Sequence, residues 1–156
     1  MKVSPVINDF EVLSKAAFKE NIVDFENQLK MVPGAMFGDS MPLEHIFTPG
    51  LYVRQIIMPR GMLITSKIHK HEHPYFVMQG DVSVLTEDGP VSIKAPYIGV
   101  TKAGTKRVLY IHEDTIWVTV HKTDKTDLED IEDEIIAKNF NELDGFNINI
   151  AQLGEN

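Results

Sequence analysis

Residues 51–122 consist of short runs of β-branched and aromatic residues separated at close intervals by turn signals. The runs are Leu51–Met58, Met62–His69, His73–Gln79, Val82–Thr86, Val91–Ala95, Lys106–His112 and Thr115–Lys122. Between them stand Pro59-Arg-Gly61, Gly80-Asp81, Glu87-Asp-Gly89, Ala103-Gly104 and Glu113-Asp114. Many short strands with regular turns predict a sandwich or barrel rather than a parallel α/β sheet. Asp88-Gly89 is a good hairpin turn, because both residues tolerate positive φ.

The flanks have a different period. Over residues 9–30, Phe10, Leu13, Ala17 and Phe18 recur at helical spacing, and Ile22, Phe25 and Leu29 extend the stripe. Asp9 is the expected N-cap, and Pro33-Gly34 stops the run. Residues 34–50 read as a loop that reaches the barrel. Thr126-Asp-Leu-Glu129 is a capping box in front of Leu128, Ile131 and Ile135, which predicts a helix over 127–138. Phe146-Asn-Ile-Asn-Ile150 reads as an added strand or a loose tail. At 156 residues the expectation is one domain. Its parts are an N-terminal extension (1–50), a barrel (51–122) and an acidic helix and tail (123–156).

Charge narrows the function classes. The net charge is −8, and residues 113–144 account for it with 3 basic and 11 acidic side chains, against 12 and 11 over 1–112. No basic stripe of the kind that grips nucleic acid is visible, and the acidic segment reads as a solvated helix face. No apolar run is long enough to cross a bilayer, and no signal pattern opens the chain. There is no cysteine, which excludes disulfides, thiolate zinc sites and cysteine nucleophiles and makes the cytoplasm the expected location. No phosphate-cradling glycine loop and no Ser/His/Asp arrangement is present.

The chemistry concentrates in Lys67-Ile-His69-Lys-His71-Glu-His73-Pro-Tyr75, which holds half of the six histidines. On a straight strand His69, His71 and His73 point the same way, with Tyr75 following. Imidazole is the commonest ligand for divalent transition metals, so the row suggests a metal site or a polar pocket inside a small barrel. Tyr75 and Tyr110 are candidates to line that pocket, where a phenol can donate a hydrogen bond or a proton. Glu72 alternates out of phase with the histidines. His45 and His112 read as structural or surface residues and Trp117 as core. Arg54 and Gln55 face opposite ways, so at most one of them reaches the pocket.

The barrel segment resembles the cupin superfamily, a jelly-roll fold. That family's first motif runs Gly, five residues, His-x-His, three or four residues, Glu, six residues, Gly. Here Gly61, Lys67-Ile-His69, His73 and Gly80 keep the spacing. His69 stands at the second histidine, His73 replaces the glutamate, Lys67 replaces the first histidine, and His71 is extra. In the second motif Gly99 and Lys102-Ala-Gly104 lead to Arg107 in place of the histidine and Ile111 in place of the asparagine. The chain is also similar to small cupin-like proteins of tailed phages.

The resemblance implies a cupin-type double-stranded β-helix with helical extensions at both ends. It further implies a homodimer and a site for one divalent ion (iron, manganese, nickel or zinc). The ligands would be His69 and His73 with His121 or His71. His121 enters if Lys106–His112 and Thr115–Lys122 form a hairpin that brings it near residues 106 and 107 with its ring inward. Lys67 and Arg107 oppose a divalent ion and suit the anionic part of a small substrate. Tyr75 and Arg107 are the candidate catalytic residues. Dioxygenase, isomerase and lyase chemistry all occur on this fold. The alternatives are a metal-free barrel that binds a sugar or organic anion, and an assembly protein that uses the barrel as scaffold.

Overall fold

The computed structural model describes residues 4–33, 35 and 40–143, with side chains from Lys15 onward. The segment Phe146–Ile150 lies outside the described residues. Helix α1 spans Ser4–Lys30. It starts five residues before the expected Asp9 cap, because Pro5 is preset for the first turn of a helix. Phe18, Ile22 and Val23 pack it against Ile68, Ala137 and Phe140, while Ala17 falls outside the buried stripe.

The strands are β1 (Leu43–Thr48), β2 (Leu51–Met58), β3 (Leu63–Thr65), β4 (Ile68–His69), β5 (His73–Thr86), β6 (Gly89–Lys94), β7 (Tyr97–Thr101), β8 (Val108–Lys122) and β9 (Ile136–Ala137). Helix α2 (Leu128–Ile135) precedes β9, and a short 3₁₀ turn covers Phe140–Glu142. The large sheet is antiparallel in the order β1-β2-β8-β5-β6, with β3 also on β8 and β7 also on β5; β4 and β9 form a separate pair.

Two expected turns are absent. Gly80-Asp81 and Glu113-Asp114 lie inside the long strands β5 and β8. The two strands pair along most of their length, with register shifts between Val77 and Val82. Beyond the shifts β5 exchanges β7 for β6, and β8 exchanges β2 for β3. The pair therefore bends from one layer into the next, which is how a jelly roll makes its corners. Gly80 makes the bend possible. Its φ is +115°, and a Cβ there would lie 2.8 Å from Cα of the fully buried Thr115. Three further strands were not expected: β1, inside the segment read as a loop; β7, whose run is interrupted by Gly99; and β9, where the helix expected over 127–138 has already ended at Ile135.

The main core fills the barrel between the layers. Val77, Val82, Val84, Ile93, Leu109 and Ile111 are almost fully buried there. Helix α2 caps one end of the barrel, where Ile131 and Ile135 close over Tyr52. Its N-cap is Asp127 rather than Thr126: the Asp127 carboxylate accepts from the backbone N–H of Glu129 (3.0 Å) and Asp130 (3.1 Å). A buried ion pair ties α1 to the barrel. Lys106 Nζ, with only 6% of its side chain exposed, lies 2.6 Å from Glu26 Oε2.

Candidate functional site

Three imidazoles meet at the end of the barrel nearest α2. His69 closes β4, His73 opens β5 and His121 lies near the end of β8; their potential ligand atoms all fall within 4.8 Å of one another. Ring centroids are 4.3 Å apart for His69–His73, 4.4 Å for His73–His121 and 5.3 Å for His69–His121.

A different device sets each ring. His121 is placed by strand alternation: Trp117, Thr119 and His121 all bury on one face of β8. It pairs with Tyr52 of β2, not with residues 106 and 107, since no hairpin interrupts β8. Tyr52 stacks on His121 at 5.9 Å, and its hydroxyl is 2.7 Å from His45 Nδ1. His73 is placed by its pairing with Thr101 of β7. His69 depends on the chain that follows α2. It pairs with Ile136, its carbonyl accepts from Gly104 N (2.8 Å), and Lys70 N donates to Ile135 O (2.8 Å).

The straight-strand arrangement of His69, His71 and His73 does not occur. A bend at Lys70-His71 separates β4 from β5 and breaks the alternation, leaving His71 exposed and outside the cluster. His71 still touches the site through its carbonyl oxygen, 3.2 Å from His73 Nδ1. A carbonyl can only accept, so Nδ1 carries the proton and the Nε2 lone pair is free.

Burial and mutual repulsion keep these imidazoles neutral. Burial, with His73 and His121 beside it, pushes His69 down to about 2. Burial and the neighbouring His73 and Arg54 push His121 down to about 3. Burial also lowers His73, against the hydrogen bond to His71. Neutral imidazole is the form that ligates a metal.

Arg107 lies beside the cluster. Its guanidinium carbon is 5.3 Å from the Tyr75 ring centre and 5.6 Å from that of Trp117. The two rings stack 4.7 Å apart. Arg107 Nη2 donates to Thr101 Oγ1 (2.8 Å), and its backbone N–H donates to Ser66 Oγ (2.9 Å). Its Nε is buried and, among the described residues, is the one such side-chain atom without a hydrogen-bond partner. Tyr75 is buried, and burial raises its phenol above the usual value, so it stays protonated. Gly99, opposite Tyr75 in register, leaves room for that ring: a Cβ there would lie 2.5–2.7 Å from its outer atoms.

Lys67 borders the cavity but pairs with Glu132 of α2 at 2.8 Å. Glu72 is exposed, and Tyr110 is exposed on the outer surface. Arg54 lines the cavity, and Gln55 on the opposite face bonds Glu44. Sequence reasoning missed Thr119, whose Oγ1 is 3.0 Å from His121 Nε2, and Thr101, the partner of Arg107. Thr119 was legible in the alternation from Trp117 to His121. Thr101 lies on a strand that was not recognised.

A cavity of about 1160 Å³ is lined by the three histidines, Arg107, Thr119 and Trp117 and reaches Ile56, Met58 and Met62; Tyr75 is not on its wall, since the outer atoms of its ring lie against Gly99. No helix among the described residues is long and apolar enough to cross a membrane.

No protein-family model and no curated protein matches the chain. Solved structures do. Ectoine synthase from P. lautus is 13% identical over 61% of this chain and 72% of its own, with a TM-score of 0.50. The EutQ protein of Clostridium difficile is 12% identical over 58% and 77%, with a TM-score of 0.47. An RmlC-like cupin family protein from Methanocaldococcus jannaschii, described as a double-stranded β-helix, is 14% identical over 57% and 87%, with a TM-score of 0.44. At such identities a likeness speaks for the fold alone. The strand topology above gives the chain the cupin-type fold expected from the sequence, a double-stranded β-helix flanked by helices.

Proposed function

We propose that this chain is a small metal-dependent cupin that binds an anionic organic molecule beside a three-histidine centre. The observation that carries the reading is the convergence of His69, His73 and His121, from three separate strands, at ligand-forming distance. The donor set suits the ion. Three neutral nitrogens with no thiolate fit zinc, iron, manganese or nickel and leave positions open for other ligands. When bound, such an ion polarises a coordinated oxygen or lowers the pKa of a coordinated water.

Arg107 acts on the organic ligand. It supplies a buried cation on the cavity wall, suited to a carboxylate or phosphate oxygen. Tyr75 is a protonated hydroxyl beside it, able to donate a hydrogen bond. The His71 carbonyl fixes the His73 ring in the tautomer that exposes Nε2. Lys67 is paired with Glu132 at the rim, beside Glu129 and Asp133, which offset its charge there. The reading includes a cytoplasmic homodimer. Exposed Met78, Ile98 and Val100, on the outer face of β5 and β7, form the apolar patch we assign to its contact.

Elemental analysis of untagged protein tests the centre. Near-stoichiometric divalent metal, lost in the His69→Ala/His73→Ala double variant, is expected. No metal as purified, and none taken up on reconstitution, overturns it. The Arg107 cation on the cavity wall favours a second reading, a metal-free anion-binding barrel. Anion binding by metal-stripped protein, abolished in Arg107→Ala, would select it when no metal binds.

A further inference from the structure

The inner faces of β2 and β8 change character step by step along the barrel. Their register pairs Tyr52 with His121, Arg54 with Thr119, Ile56 with Trp117, and Met58 with Thr115. The first two pairs bring in the charge and hydrogen-bonding groups of the site. The next two are apolar apart from one hydroxyl, and that hydroxyl is used internally: Thr115 Oγ1 donates to Glu113 O at 2.8 Å. Along this wall the cavity passes from the histidines and Arg107 to Ile56, Met58 and Met62, while Thr65, Glu26 and Lys106 line another part of it. From the Arg54 level to the Met58 level the strands advance four residues, roughly 13 Å.

From this we infer that the ligand is amphipathic: a monocarboxylate whose head meets the Arg107 guanidinium on the cavity wall beside the histidines and whose unbranched apolar tail runs past Trp117 toward Met58 and Met62. The inference rests on the proposed function for its anionic head and adds the tail. A small polar anion would leave the apolar end wetted. A neutral apolar molecule would leave the buried Arg107 cation without an anion to meet it. Methionine suits such a wall, because its side chain adapts to tails of different length.

Titration calorimetry of metal-loaded and metal-stripped protein with acetate, butanoate, hexanoate and octanoate tests this. Affinity should rise about fourfold per methylene, the increment for burying one CH₂. Arg107→Gln should weaken the whole series by a similar factor and keep its slope. Met62→Gln, at a half-buried position that tolerates a polar side chain, should flatten the slope and spare acetate. Acetate and octanoate binding equally overturns the tail and leaves the proposed function standing. Octanol or octylamine binding as well as octanoate overturns the carboxylate head. Failure of every carboxylate to bind protein that holds stoichiometric metal overturns both this inference and the anionic part of the proposed function.

Discussion

The two ends of the barrel are made by the same two long strands and behave as opposites. In the half of β5 and β8 paired with β6 and β3, the inward residues are Val82, Val84, Leu109 and Ile111, each at most 5% exposed and all apolar. In the half paired with β2 and β7, the inward residues include His73, Thr119 and His121, buried but polar. One end satisfies itself by packing. The other depends on particular hydrogen bonds and leaves Arg107 Nε without one. The contrast teaches where stability and chemistry reside: burying apolar surface holds the fold at the first end, closed by its own packing, which permits desolvated imidazoles and a cation at the second, open only to the cavity that α2 helps to line.

If that division is real, the largest loss of stability should come from the end without chemistry. Ile111 is fully buried in the closed half. Ile111→Ala should cost about 2–5 kcal/mol, through lost burial and the cavity left behind. Urea unfolding of the metal-free protein reads this directly. The metal content of the folded fraction should not change. A variant that unfolds at the wild-type midpoint, or that loses metal while folded, would break the comparison.

The mirror experiment sits at the open end. His73→Ala should weaken metal binding by about 100-fold or more, since loss of a direct ligand should exceed the 10–100-fold seen for outer partners. Stability of the metal-free protein should fall by much less than in Ile111→Ala, because the variant removes a polar ring whose Nδ1 bonds only a carbonyl that solvent can reach. Competition with a chromophoric chelator gives the first quantity and urea unfolding the second. Wild-type affinity in the variant would remove His73 from the centre.

A third test separates the barrel from its helical strap. Burial raises the Glu26 carboxyl, but hydrogen bonds from Lys106 and Thr65 outweigh that and leave it below its ordinary 4.5. A depressed carboxylate contributes stability above its ordinary pKa and loses it as pH falls through the folded value. Stability should therefore decline below about pH 4.5 by an increment that Glu26→Gln lacks. The variant should also be less stable at pH 7, because the largely buried Lys106 loses its counter-charge. Equal pH profiles for the two proteins would deny Glu26 this role.

Much of this division was legible in the sequence, for physical reasons that also mark where legibility ended. Alternation puts Trp117, Thr119 and His121 on one face of β8, but which way that face points depends on register, so the sequence left His121 conditional. The capping box located α2 to within a residue at its start. Turn chemistry misled at Gly80-Asp81 and Glu113-Asp114, because a residue tolerant of positive φ serves a bend within a strand as well as a reversal between strands. The hairpin expected for His121 failed with it, although the ring still points inward. His71 was inseparable from its neighbours by spacing alone, since the bend that expels it depends on β4 pairing with a segment 67 residues later. The β7 strand was hidden by Gly99, whose missing side chain makes room for Tyr75, a reason that exists only in three dimensions.

That long-range pairing yields the smallest expected effect and the one most specific to this chain. Asp127 caps α2, α2 leads directly into β9, and β9 holds His69 through Ile136. Asp127→Ala removes the acceptor for two backbone N–H groups and should cost about 1 kcal/mol, the usual value of a side-chain cap. The loss should be local, because α2 is short and rests on Tyr52 through Ile131 and Ile135. Fraying there would loosen β9 and lower the population in which His69 faces the other two imidazoles. Metal affinity should then fall by no more than about fivefold, the equivalent of about 1 kcal/mol. The urea midpoint of the barrel, followed by Trp117 fluorescence, should move little. Amide exchange faster at Lys70 and Ile136 than at Ile111 would locate the change. Undiminished metal affinity with Lys70 and Ile136 exchanging freely would show that His69 keeps its place without β9.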